Sequence, residues 1–176
     1  VIDKTALNRL EQHIQDIEQG KFNSDDKQAS IIARYDQSKL PKTGHFFAPT
    51  MVKLDSMTQL KEEVFGPVLH IIRYPSKALD AVLQEINDSG YGLTLGIHTR
   101  IENSAEYICE HTNVGNTYVN RNMVGAVVGT QPFGGEGLSG TGPKAGGPHY
   151  LFRFATEKTA TINTVATGGN TDLFEL

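Results

Sequence analysis

Two stretches of the chain gather residues that could do chemistry. Residues 131–150 carry glycine at positions 134, 135, 137, 140, 142, 146 and 147, a pattern too irregular for helix or strand. Glycine has no Cβ, so such a segment can bring backbone N–H groups close to an anionic ligand. Within it, Ala145-Gly146-Gly147 could aim consecutive amides at one carboxylate as an anion nest; a structural loop needing positive φ at several points is the alternative. Upstream lies Glu62-Glu63-Val64-Phe65-Gly66-Pro67-Val68. There Glu63 stands just ahead of a breaker pair at the entry to a strand. Its carboxylate could accept hydrogen bonds from a sugar diol, and Phe65 could supply a flat apolar wall for a ring. An exposed Glu and a core Phe are the alternative.

Other features invite chemistry and fail on context. Gly135-Glu136-Gly137-Leu138-Ser139-Gly140 matches G-x-G-x-x-G, but a dinucleotide fingerprint must leave a strand and open a helix. Here the match runs into Thr141-Gly142-Pro143, which cannot begin a long helix. Lys144 is followed by Ala145 and lacks the preceding glycine of a P-loop. Cys109 sits in Tyr107-Ile108-Cys109-Glu110-His111 on an amphipathic helix. The neighbouring Glu110 would raise its thiol pKa, and a helix-face cysteine behaves as a small hydrophobe, so Cys109 reads as structural. The histidines, His13, His45, His70, His98, His111 and His149, show neither H-x-x-x-H nor H-E-x-x-H spacing, and no metal site is expected.

Those residues must be positioned by a globular frame. A chain of 176 residues with 38% hydrophobic and 20% charged content suits one soluble domain with a real core. No apolar run approaches the ~20 residues that span a bilayer. A net charge of −4 without a Lys/Arg cluster argues against a nucleic-acid surface. One cysteine and no leader pattern point to the cytoplasm. The opening Val1-Ile2-Asp3 reads as the interior of a longer chain.

Leu7, Leu10, Ile14 and Ile17 recur at helical spacing, with Asp3 or Thr5 as cap and Gly20 as stop, which predicts an amphipathic helix. Residues 29–35 and 45–54 have strand composition and are expected to share a sheet. From position 68 the pattern alternates: strand 68–74, helix 76–89, strand 93–98, helix 103–111, strand 116–120. Alternation of this kind predicts parallel βαβ units. Residues 157–165 return as a Thr/Val/Ile strand with no neighbour in sequence, which is expected to pair with another subunit or domain.

The segments Glu62 to Val68, Gly115-Asn116-Thr117-Tyr118-Val119-Asn120 and Gln131-Pro132-Phe133-Gly134-Gly135 resemble three ordered motifs of the aldehyde dehydrogenases. The string from Gly142 to Gly147, with Pro148 and Tyr150-Leu151, is similar to the pyrroline-5-carboxylate dehydrogenase branch. The ending Glu157 to Thr164 followed by Gly168-Gly169-Asn170 resembles members that are fused to a proline dehydrogenase.

The resemblance implies an α/β fold: the C-terminal part of an aldehyde dehydrogenase catalytic domain in residues 1–154, then an oligomerisation β-strand and tail in residues 155–176. It implies oxidation of L-glutamate γ-semialdehyde to L-glutamate with NAD as hydride acceptor, in a bifunctional parent whose proline dehydrogenase half holds FAD. By position, Glu63 binds the nicotinamide ribose and Phe65 packs near the nicotinamide. Gly146 and Gly147 offer N–H groups to the substrate α-carboxylate, across one cavity from Glu63 and Phe65, and Phe154 flanks the aliphatic part. The family's nucleophilic cysteine and general-base glutamate precede the segment represented here, so no catalytic residue is assigned. The implied partners are the substrate, the upstream NAD-binding domain of the parent, and a further subunit through the terminal strand. The chain alone is expected neither to oxidise aldehydes nor to hold NAD tightly, because one wall of a cleft supplies few of the contacts. A non-catalytic assembly module on the same scaffold, or a dehydrogenase for another aldehyde, is the alternative.

Overall fold

The computed structural model describes residues 1–125, 127 and 129–163. Helix α1 (Lys4–Glu18) forms where the apolar spacing predicts it. The Asp3 side chain accepts from the Ala6 amide at 2.7 Å, satisfying one of the donors that a helix N-terminus leaves over. At the other end the Gly20 amide donates to Ile17 O at 3.0 Å as the chain turns away. Leu10, Ile14 and Ile17 are buried and meet Phe47, Val52 and Leu54 in the core.

The other face of that core is a three-stranded sheet. Strand β1 (Ala29–Arg34) pairs antiparallel with β2 (Thr50–Leu54), which pairs parallel with β3 (Val68–Ile72). The two expected strands do share a sheet. The second is shorter than expected and begins at Thr50, since Pro49 has no N–H to donate into a ladder.

The second half holds α2 (Leu79–Asp88), the two-residue β4 (Tyr91–Gly92), β5 (Thr94–Ile97), α3 (Glu102–Glu110) and β6 (Asn116–Val119). Strands β5 and β6 are parallel with α3 crossing between them, a βαβ unit as expected. The preceding unit is different: β3 and β5 lie in separate sheets. Alternation in sequence names the elements, but it does not say which strands become neighbours. Among the described residues, β3 pairs only with β2 and β5 only with β6, so each sheet ends on an open edge.

The glycine-rich connection contains β7 (Glu136–Gly137), antiparallel to β4. Residues 155–163 are exposed and belong to no strand, and the rest of the expected terminal strand, with the Gly168-Gly169-Asn170 tail, lies outside the described residues. A Thr/Val/Ile segment without a ladder partner forms no sheet by itself. No helix among the described residues is long and apolar enough to cross a membrane.

Candidate functional site

The connection from β2 to β3 carries Glu62, Glu63 and Phe65, and it is pinned before it reaches them. Glu85 on α2 accepts from Ser56 Oγ at 3.2 Å and from the Met57 amide at 3.1 Å. The Gln59 side chain accepts from the Asp55 and Ser56 amides at 2.9 and 3.0 Å and donates to Phe22 O at 2.8 Å. At the far end Gly66 passes under α1 so closely that a Cβ there would lie 2.5 Å from Leu10 Cδ1. A residue with a Cβ at this position would have to displace the buried Leu10 side chain.

Between those anchors, residues 60–64 line a solvent-open cavity of about 790 Å³. Its other walls are His70 of β3, Glu85 and Ile86 of α2, the run 91–95 through β4 into β5, and Leu138 and Ser139 of the glycine-rich connection. The cavity thus occupies the gap between the β3 and β5 edges. Glu63 lines it, exposed, and meets no hydrogen-bond or ion-pair partner among the described residues. Phe65 is 85% exposed, which rules out a core phenylalanine. The half-buried His70 has its pKa pushed down to about 4, first by burial and then by the charge of His13. Burial also lowers His13, partly offset by Asp16 and Glu62.

The glycine-rich connection is latched to the second half by polar contacts. Asn116 donates through Nδ2 to Pro132 O at 3.0 Å and accepts from the Gly134 amide at 3.2 Å. Ser139 Oγ accepts from the Gly92 amide at 3.1 Å, and Lys144 donates to Gly115 O. Phe133 and Ala145 exchange two backbone hydrogen bonds of 3.0 and 2.9 Å. A Cβ at Gly115 would collide with Gly134 O, so this contact needs glycine.

This geometry corrects the anion-nest expectation. The Ala145 amide is committed to Phe133 O, and the Gly147 amide closes a turn on Lys144 O at 3.0 Å. Only Gly146, at φ 72° with open space where a side chain would stand, keeps an amide without a partner among the described residues. Nor do the expected site residues share one cavity. Glu63 lines the cavity together with Leu138 and Ser139, while Phe65, Gly146, Gly147 and Phe154 do not line it; Phe154 is 75% exposed on a 3-10 turn (Tyr150–Phe154). The G-x-G-x-x-G match forms β7 and a turn, with Ser139 N–H bonded to Glu136 O at 3.0 Å, and opens no helix. Cys109 is exposed rather than packed as a small hydrophobe; it lies one turn beyond Ala105, the buried residue of α3, near the helix end where cover is lost.

Comparison with known proteins sets this site in context. Residues 1–160 match the profile described as "Aldehyde dehydrogenase family". The "Bifunctional protein PutA" of Klebsiella aerogenes is 50% identical over 158 residues, which are 90% of this chain and 12% of that protein. A crystal structure of Bradyrhizobium japonicum proline utilization A superposes with a TM-score of 0.80 at 54% identity, over 94% of this chain and 16% of that one. The 1-pyrroline-5-carboxylate dehydrogenase from Thermus with bound NAD superposes with a TM-score of 0.72 at 33% identity, over 88% of this chain and 28% of that one. The chain therefore spans a minor part of each relative.

Proposed function

The chain belongs to the aldehyde dehydrogenase family, and from that premise we propose that it forms one wall of the catalytic cleft of an NAD-dependent L-glutamate γ-semialdehyde dehydrogenase. Its mixed α/β arrangement matches part of that family's domain. The likeness to PutA and to a pyrroline-5-carboxylate dehydrogenase supports a place in proline catabolism. The parent is then a cytoplasmic bifunctional protein whose other half oxidises proline on FAD.

The observation that carries this reading is the delivery of Glu63, unpartnered, into an open cavity by a segment anchored at both ends. Its residues fit a nicotinamide ribose: a free carboxylate accepts from a diol, and the uncovered Phe65 ring offers a face for the nicotinamide. When bound, NAD supplies the hydride acceptor. Gly146 offers its free amide to the substrate α-carboxylate, Gly147 leaves room beside it, and Phe154 covers the aliphatic chain. Residues 155–176 form the oligomerisation arm and tail. The upstream domain contributes the nucleophilic cysteine, the base and most of the nucleotide contacts.

In the parent enzyme, Glu63→Gln raises KM for NAD while KM for the aldehyde stays near its wild-type value. An unchanged KM for NAD overturns the role given to Glu63. The purified chain mixed with NAD and pyrroline-5-carboxylate produces no NADH absorbance; its appearance overturns the assignment of catalysis to the upstream part.

A further inference from the structure

His13 and His70 are 57 positions apart in sequence, yet their Nε2 atoms lie 2.9 Å from each other. The ring centroids are 5.1 Å apart and the rings nearly perpendicular, with an interplanar angle of 79°. That centroid separation is close to the largest that two imidazoles joined at 2.9 Å allow, so the two nitrogens point straight at one another. A neutral imidazole has one N–H and one lone pair, and this geometry places the N–H of one ring on the lone pair of the other. A chelated divalent cation would instead draw both lone pairs to a third point, about 2.0–2.1 Å from each nitrogen.

The pair also sits where it matters mechanically. One turn of α1 touches both ends of a short stretch of chain: Leu10 packs on Gly66, and His13 meets His70. That stretch directly follows Glu63 and Phe65. The Phe22 ring stands perpendicular to that of His13, with centroids 5.2 Å apart. Asp16 on α1 and Glu62 on the β2–β3 connection are the charges that favour a protonated His13. Around His70 the cavity presents Lys61, Glu62, Glu63, Glu85 and Asp88.

We propose that His13 and His70 form an acid-released latch, a shared-proton bridge that fastens α1 to β3 while one ring stays neutral and lets go when both are charged, loosening the segment that bears Glu63. One added proton leaves an imidazolium donating to a neutral ring. A second leaves two N–H groups facing each other with like charge, and the contact becomes repulsive. The sign follows from the depressed pKa of His70, about 4 against an ordinary 6.5. Between those values the released form binds more protons than the latched form, so the latch is at full strength above pH 6.5 and weakens as pH falls towards 4. The consequence for a nicotinamide ribose rests on the reading of Glu63 given above; the latch itself does not.

The test uses the chain without NAD, so its outcome is independent of that reading. Imidazole NMR titration is combined with amide hydrogen exchange across α1, from above pH 6.5 down to pH 4. Both rings are expected to titrate below the ordinary value. After correction for intrinsic rates, α1 amides are expected to exchange roughly tenfold faster for each unit by which a ring pKa is depressed. His70→Gln, or His13→Gln should the first not fold, is expected to abolish that acid-induced acceleration. Rings that titrate at 6.5, or acceleration that persists in the folded variants, overturn the proposal. Binding of one Zn²⁺ per chain that slows α1 exchange does so too, since it would mark a metal chelate.

Discussion

Helix α1 and the β1–β2–β3 sheet bury Leu10, Ile14, Ile17, Val52 and Leu54 to 4% exposure or less. The glycine-rich connection between Phe133 and Lys144 is held instead by Asn116, Ser139, Lys144 and two backbone hydrogen bonds to Ala145. The first region depends on volume, so it fails when atoms are removed. The second depends on close backbone approach and polar pairing, so it fails when an atom is added. The same residue, alanine, should therefore injure both regions for opposite reasons. Glu62 and Glu63 lie on a segment anchored to the first region at Gly66, and they line one cavity with Leu138 and Ser139 of the second.

The largest effect is expected from Leu54→Ala, which empties a fully buried position. It should cost about 2–5 kcal/mol, read as a lower urea midpoint for the whole chain; a loss below 1 kcal/mol would mean that the apolar half is not what limits stability. Gly115→Ala should cost about 1–3 kcal/mol by overpacking, because its Cβ has no place to go against Gly134 O. Hydrogen exchange and proteolysis should rise at residues 133–145 and remain unchanged in α1. Equal loosening of α1 would show that the two regions are coupled. Asn116→Ala removes two hydrogen bonds and should cost about 1–2 kcal/mol, with the same localisation. Phe65→Ala should change stability by no more than about 0.5 kcal/mol, because the ring is 85% exposed. In the parent enzyme the same change should weaken NAD binding, and a variant that loses stability but not NAD affinity would reverse the role given to this ring.

Much of the first region was legible beforehand. The spacing of Leu7, Leu10, Ile14 and Ile17 imposes one apolar face on any helix that forms, and Asp3 is a strong cap by its side chain alone. Strand composition marked β1, β2 and β3, and Pro49 explains the shortfall of β2. For the candidate site, the roles proposed for Glu63 and Phe65 come from the family resemblance, and only their candidacy was identifiable from the Gly-Pro breaker that follows them. Their exposure was not, since an apolar ring beside a strand serves equally well in a core. The glycines marked a loop without saying which amides would be free. That depends on Phe133 and Lys144 supplying carbonyls to Ala145 and Gly147, pairings set by the path of the loop.

The ordered motifs carried the resemblance to the family, while local residue types and their spacing determined α1, α2, α3 and the strands β1, β2, β3, β5 and β6. Those elements rest on periodicity and short-range sterics, which act within a few residues. Three things were decided only by the tertiary structure: the separation of β3 from β5, the cavity between them, and the meeting of His13 with His70. Each depends on how α1 and α2 pack against the sheets, a balance of contacts between groups distant in sequence that no local pattern records.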